Sequence, residues 1–363
     1  MKRSPLLRSI SLVTALTLLN AQMAEACTRA LYVGSDGTVI TGRSMDWKED
    51  MHTDLWVFPR GIQRDGAAGA NSPKWTSKYG SVIAAGYNIG SADGMNEKGL
   101  VANILFLDES DYGKPDPARQ RMSIALWGQY VLDNFSTVDE AVSKLQSEPF
   151  QVVTQKLPNG VGAQLHLSLS DATGDSAVLE YIGGKLIIHH GKQYVVMTNS
   201  PVYDEQLALN RYWEGIGGLT FLPGTNRAAD RYARASFLIN AIPKAADPAY
   251  IASIPQRSYA FQAVASVLSV IRSVSVPLGI TTPNQPNISS TIWRTVSDQT
   301  NKVYYFDAAT RPNTFWVTLS KLNLEAGAPI LKLPLADGQV YSGDVSEQFR
   351  PAQPFTFLAA PDI

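Results

Sequence analysis

The sequence holds one cysteine, four histidines and almost no net charge, with 31 Lys and Arg against 32 Asp and Glu. Each scarcity removes a class of function. A single cysteine forms no intramolecular disulfide and no thiolate metal cluster. His52, His166, His189 and His190 show no HExxH spacing, which excludes the helical zinc-protease site. Without a basic excess there is little to neutralise a phosphate backbone, so no nucleic-acid partner is expected. No apolar run reaches the roughly 20 residues that span a bilayer, so no stable membrane insertion is expected. What remains is a chain of 363 residues, 45% hydrophobic and 17% charged, suited to a large core and unlike a disordered segment.

The first residues carry an address. Lys2, Arg3 and Arg8 flank an apolar stretch from Ile10 to Leu19, broken by Ser11, Thr14 and Thr17, and the segment closes on Ala24-Glu25-Ala26. A positive start, a short apolar centre and a small-x-small end define a secretory signal cleaved after Ala26. Residues 1–26 are therefore read as a signal peptide and 27–363 as one domain. Cleavage would make Cys27, the sole thiol, the first residue of the mature chain.

Three readings of Cys27 compete. It is a thiol placed there by chance, or the lipidated cysteine of an envelope lipoprotein, or an N-terminal nucleophile. Lipidation calls for a large aliphatic residue three before the cysteine, where this chain has Ala24, followed here by Glu25. The nucleophile reading has a chemical logic. A thiol with pKa near 8.5 and an α-amine near 7.7–8.0 both titrate close to ambient pH. One residue then supplies nucleophile and general base together. While the nitrogen is still in a peptide bond it is not basic, so processing would switch the enzyme on.

Further along, Arg29–Gly34 and Thr38–Gly42 read as a hairpin around Ser35-Asp36-Gly37. Strands are expected at His52–Pro59, Ser81–Tyr87 and Leu100–Leu107. Ala118–Phe135 has helical spacing, and a second helix starts at Ser136 or Thr137 with Glu140 completing a capping box. Strands return at Gln164–Ser170, Ser176–Ile182, Lys185–His189 and Tyr194–Thr198, with Gly183-Gly184 as a turn. Helices are expected at Ala228–Ala241 and Ser258–Ile271, then strands at Ser290–Val296, Lys302–Phe306 and Thr314–Leu319. Gly61–Lys74 and Thr281–Asn287 read as surface loops. Short turns predict antiparallel pairing, with helices on the outer faces of packed sheets, an α+β class.

Five motifs in order carry a resemblance: Cys27-Thr28-Arg29-Ala30, Gly42-Arg43-Ser44-Met45-Asp46-Trp47, Asp93-Gly94-Met95-Asn96-Glu97-Lys98-Gly99-Leu100, Thr198-Asn199-Ser200-Pro201 and Asp230-Arg231-Tyr232. Together they resemble the choloylglycine hydrolase family, which contains bile salt hydrolases, penicillin V acylases and acyl-homoserine-lactone acylases. The resemblance implies the four-layer αββα sandwich of N-terminal nucleophile hydrolases. It implies Cys27 as nucleophile and Arg43 as the fixed positive charge beside the sulfur. Asp46 would orient the α-amine, Asn199 would donate to the oxyanion, and Arg231 would complete the polar network. Asn96 is read as a hairpin-turn residue despite its place in a family motif. The family also suggests a homotetramer, with no metal and no cofactor.

Two departures bear on substrate. Counting on from Gly99-Leu100, bile salt hydrolases carry an asparagine that helps the oxyanion hole, and here the count lands on Phe106. The segment between Asn199 and Arg231 lacks the longer insertion of Gram-positive members. With the signal peptide, both departures resemble the Gram-negative penicillin V and homoserine-lactone acylase branch, and so a periplasmic enzyme. Among the aromatic residues near the motifs (Trp47, Trp56, Phe58, Tyr87 and Phe106), Trp47 and Phe106 are expected to wall an acyl pocket. The expected activity is hydrolysis of linear amides with an apolar acyl group, penicillin V and N-acyl homoserine lactones, through a Cys27 thioester. Conjugated bile salts are the alternative substrate; a lipid-anchored or non-catalytic periplasmic binding protein is the alternative of another class.

Overall fold

The computed structural model describes residues 27–281 and 289–361. The expected signal peptide at 1–26 lies outside them, as does most of the expected loop at Thr281–Asn287. The chain opens on the expected hairpin. Thr28–Val33 (β1) and Val39–Trp47 (β2) pair antiparallel. Their turn is closed by Asp36, whose carboxylate accepts the Thr38 N–H at 2.9 Å, and by Gly37 at a φ of 87°. Leu55–Phe58 (β3), Ser81–Gly86 (β4), Gly90–Asn96 (β5) and Val101–Phe106 (β6) follow as a meander. Leu165–Ser170 (β7), Ser176–Ile182 (β8) and Lys185–His190 (β9) extend it, with Gly183 and Gly184 both at positive φ in the last turn. The short Val196–Met197 (β10) returns to the first hairpin. Ser290–Asp298 (β11), Val303–Ala308 (β12), Thr314–Thr318 (β13), Leu331–Leu333 (β14), Gly343–Asp344 (β15) and Arg350–Pro351 (β16) complete the strands used below.

Among the described residues these strands form two large sheets. One has the order β10-β1-β2-β11-β12-β13-β15 and the other β9-β8-β7-β6-β5-β4-β3-β14-β16. The helices Trp127–Asn134 (α1) and Val138–Leu145 (α2) cover the second sheet. Ala228–Ala241 (α4) and Tyr259–Ser273 (α5) cover the first, with Tyr203–Ile216 (α3) packed on α4. The result is the αββα sandwich, helices outside and two sheets face to face.

Several expectations are corrected. The helix expected at Ala118–Phe135 begins only at Trp127, after a strand at Arg121–Ser123 and a short 3-10 turn at Ile124–Leu126. The stretch Gly61–Lys74 is not all loop, because Gln63–Asp65 pairs with Lys74–Thr76. Tyr194–Thr198 is strand only at Val196–Met197. Other signals held closely. Thr137 caps α2 by accepting the Glu140 N–H at 3.2 Å, while the Glu140 carboxylate reaches back to the Ser136 N–H at 2.8 Å. Asn96 ends β5 and holds the turn that follows: its side-chain oxygen accepts the Lys98 and Leu100 N–H groups, and its amide donates to Leu132 and Phe135 carbonyls.

Gly42 lets α5 seat on the first sheet. A Cβ there would lie 2.6 Å from Ile271 and 2.8 Å from Val267. Gly42→Ala is accordingly expected to destabilise the fold by about 1–3 kcal/mol through overpacking. Urea denaturation checks this, with a lowered midpoint at unchanged slope.

Candidate active site

Side chains alternate across a strand, and β2 uses both faces. Arg43, Met45 and Trp47 line an apolar cavity on the inter-sheet side, whereas Gly42 faces α5 on the other. Arg43 and Asp46, three apart, therefore lie on opposite faces. Cys27 begins the described chain beside them, 2% exposed. Its Sγ receives the Asp46 backbone N–H at 3.5 Å and an Arg43 Nη2–H at 3.8 Å, and sits 3.8 Å from the Met45 sulfur.

Arg43 is fully buried. Its Nη2 donates to the Ile104 carbonyl at 2.9 Å, its guanidinium lies 4.6 Å from the Trp293 ring centroid, and its Nη1 is 4.0 Å from Asp93. Asp93 is the counter-charge. Its carboxylate also accepts from Asn103 at 2.6 Å, Tyr304 at 2.6 Å and Thr295 at 3.1 Å. Burial pushes the Asp93 carboxyl up, opposed chiefly by Arg43. Burial likewise pushes the Cys27 thiol up, and Arg43 is the strongest influence drawing it back toward thiolate. Asp93 stands inside a motif that suggested the family, yet nothing in its sequence context marked it as the partner of Arg43.

Asp46 faces the helix layer. It accepts from the Thr291 hydroxyl and, at 3.4 Å, from Ser44. Ser44 in turn accepts the Thr28 N–H at 3.2 Å. Burial raises the Asp46 carboxyl to about 6, against the pull of Arg231 first and Thr291 next. Above about pH 6 Asp46 is an ionised acceptor, and that state is lost as pH falls through 6. Loss of that acceptor should steepen the acid fall of kcat/KM below about pH 6, beyond the limb expected from protonation of the α-amine, and this added fall should be absent in Asp46→Asn.

Arg231, on α4 and fully buried, ties the remaining parts together. Its Nη1 donates to the Cys27 carbonyl and to Thr28 Oγ1 at 2.6 Å, and its Nη2 to Asn199 Oδ1 at 2.9 Å. Asn199 Nδ2 donates to the Phe106 carbonyl at 2.7 Å. The structure thus brings together Cys27, Arg43, Asp46, Asn199 and Arg231. The Phe106 side chain joins Trp47 in the wall of the cavity, their rings 6.1 Å apart. Leu107 donates to Gln164 across the ladder, so the polar groups of Phe106 point to the other edge, toward Asn199. Its N–H shares that direction with its carbonyl.

The cavity, about 80 Å³ in volume, has Cys27 in its lining. Met51, Tyr87, Ile124, Leu157 and Leu358 add to its walls, with few polar groups. Tyr87 accepts from the Trp47 indole N–H at 2.7 Å, fixing that ring. Trp56 and Phe58 instead pack with Phe355 on the outer face of the second sheet, away from the cavity. Leu358, in the final extended segment, had no signal in the sequence; its N–H is held by the Ile89 carbonyl at 2.9 Å. Among the described residues no group of three His, Cys, Asp or Glu side chains is placed to hold a metal ion, and no helix is long and apolar enough to cross a membrane.

Residues 27–332 match the model of the linear amide C–N hydrolases, choloylglycine hydrolase family. The chain is 50% identical over 363 aligned positions to a penicillin V acylase of Pectobacterium atrosepticum, covering 96% of each protein. It is 30% identical over 247 positions to a bile salt hydrolase/transferase of Clostridium perfringens, covering 60% of this chain and 73% of that one. The solved penicillin V acylase of Agrobacterium tumefaciens superposes with a TM-score of 0.83 at 56% identity, over 92% of this chain and 100% of that structure. The conjugated bile acid hydrolase of Clostridium perfringens, at 22% identity, shares the fold with a TM-score of 0.70 over 88% of this chain and 98% of its own.

Proposed function

The chain belongs to the choloylglycine hydrolase family of linear amide C–N hydrolases, and we propose that it is a secreted, periplasmic amidase whose mature form begins at Cys27 and cleaves penicillin V and N-acyl homoserine lactones through a thioester. Residues 1–26 serve as the signal and 27–363 as one catalytic domain. In support, the family match itself starts at Cys27. The lipoprotein reading fits poorly, since a diglyceride would have to leave a sulfur that is buried against β2.

In the proposed reaction the α-amine takes the thiol proton and the sulfur bonds to the acyl carbon. Arg43 favours the thiolate and Asp46 orients the amine. The oxyanion is met by the second N–H of Asn199 and by the Phe106 backbone N–H, replacing the side-chain donor absent at that position. The C–N bond then breaks as the ammonium returns its proton to the leaving nitrogen. Water, deprotonated by the same amine, resolves the thioester and releases the acid.

The observation that carries the substrate reading is the apolar cavity with Cys27 in its lining. A phenoxyacetyl group or a flexible fatty chain buries its apolar surface there and leaves the amide at the thiol. The kinship with a bile salt hydrolase makes glycocholate the competing substrate. Comparing release rates from penicillin V, long-chain acyl homoserine lactones and glycocholate tests the assignment. Either of the first two should exceed glycocholate in kcat/KM; preference for glycocholate would reverse it. A homotetramer belongs to the same proposal, supported by exposed apolar side chains on and after α3: Leu209, Tyr212, Leu219 and Phe221.

A further inference from the structure

His166 on β7 and Glu180 on β8 are buried between the sheets, each 1% exposed, and neither touches the sulfur. His166 Nδ1 meets Glu180 Oε1 at 2.9 Å, and its Nε2 meets the Thr198 carbonyl at 2.9 Å. The other carboxylate oxygen, Oε2, accepts the Tyr203 backbone N–H at 3.0 Å. A carbonyl only accepts, so Nε2 carries a hydrogen, and one further proton must lie between Nδ1 and Oε1. Each ring nitrogen and each carboxylate oxygen has its partner, a satisfied polar network in a buried interior.

The two outer contacts fall on either side of one short segment. Thr198 precedes Asn199, and Tyr203 is the first residue of α3. Val202 at the N-cap has no side chain able to cap that helix, and Glu180 supplies the missing acceptor from the sheet. The pair therefore fastens both ends of the loop that presents Asn199 to Phe106 and Arg231.

We propose that His166 and Glu180 are positioning residues for the oxyanion site, setting the Asn199 amide through the Thr198 carbonyl and the Tyr203 N–H. The inference rests on the reading of Asn199 as an oxyanion donor. An oxyanion donor acts in the transition state more than in the ground state, so its misplacement lowers kcat and spares KM. A displacement of about 1 Å in such a group can reduce the rate about 10²-fold.

The test is steady-state hydrolysis of penicillin V by the mature enzyme carrying Glu180→Ala, Glu180→Gln, Asn199→Ala, or Glu180→Ala with Asn199→Ala. Glu180→Ala should lower kcat by about 10–100-fold with KM within about twofold. Glu180→Gln can donate to Nδ1 and accept from Tyr203, so it should restore kcat to within about threefold of wild type. The double variant should be no slower than Asn199→Ala alone. Should Glu180→Ala not fold, Glu180→Asp, one methylene too short to hold both ends, should give the same split. Wild-type kcat in folded Glu180→Ala or Glu180→Asp, or an equal further loss in the Asn199→Ala background, would overturn the positioning role while leaving the oxyanion reading intact. Wild-type turnover by Asn199→Ala would instead remove the oxyanion reading itself.

Discussion

Cys27→Ala is expected to lower amide hydrolysis by about 10⁴–10⁶-fold, the scale seen when a covalent nucleophile is deleted. The fold should survive. The sulfur contributes only long contacts of 3.5–3.8 Å to Asp46, Arg43 and Met45, so its removal costs about 1 kcal/mol. Arg43 keeps its Ile104 and Asp93 partners, so the substitution strands no buried charge. Circular dichroism and turnover measured on one preparation check both halves of the expectation. Persistent hydrolysis by a folded alanine variant would remove Cys27 from its assigned role.

Retaining a residue ahead of Cys27 is expected to silence the enzyme almost as thoroughly. The thiol, Arg43 and the cavity would all remain, yet the nitrogen would be an amide with no basic lone pair. Loss of a positioned general base is worth about 10²–10⁴ in rate. Asp46 would lose its role as well, since it would face a neutral N–H in place of an ammonium. An extended form with a protease site immediately before Cys27 should be inactive and should recover full activity on trimming. Activity before trimming would show that another group takes the proton.

The parts of this fold that were legible in the sequence are those with their own local signal. The first hairpin has its Asp-Gly turn, α4 spans Ala228–Ala241 as its spacing implies, and α2 has its Thr137 cap. β5 was not expected as a strand, because Gly90-Ser-Ala-Asp-Gly94 lacks the alternation and β-branched residues of a strand. It holds its place between β4 and β6 by tertiary pairing. α3 was missed for a related reason: its helix start is capped by Glu180, far away in sequence, and much of its surface is exposed. At the site, Cys27, Arg43, Asp46, Asn199 and Arg231 were reached through motifs, and the fold joins them into one buried contact network. Asp93, Thr291 and Leu358 were not reached. Their significance lies in what they face across the sandwich, which no local pattern encodes.

The central claim is that the sulfur of a chain beginning at Cys27 carries the acyl group during turnover. Mass spectrometry of the N-terminal peptide after reaction with penicillin V tests it most directly. The reaction is quenched in acid, so that the α-amine stays protonated and does not capture the acyl group from sulfur. The account predicts a peptide starting at Cys27 and bearing one phenoxyacetyl group that hydroxylamine removes. An active enzyme whose first residue is not Cys27, or whose acyl group resides on another side chain, would contradict it.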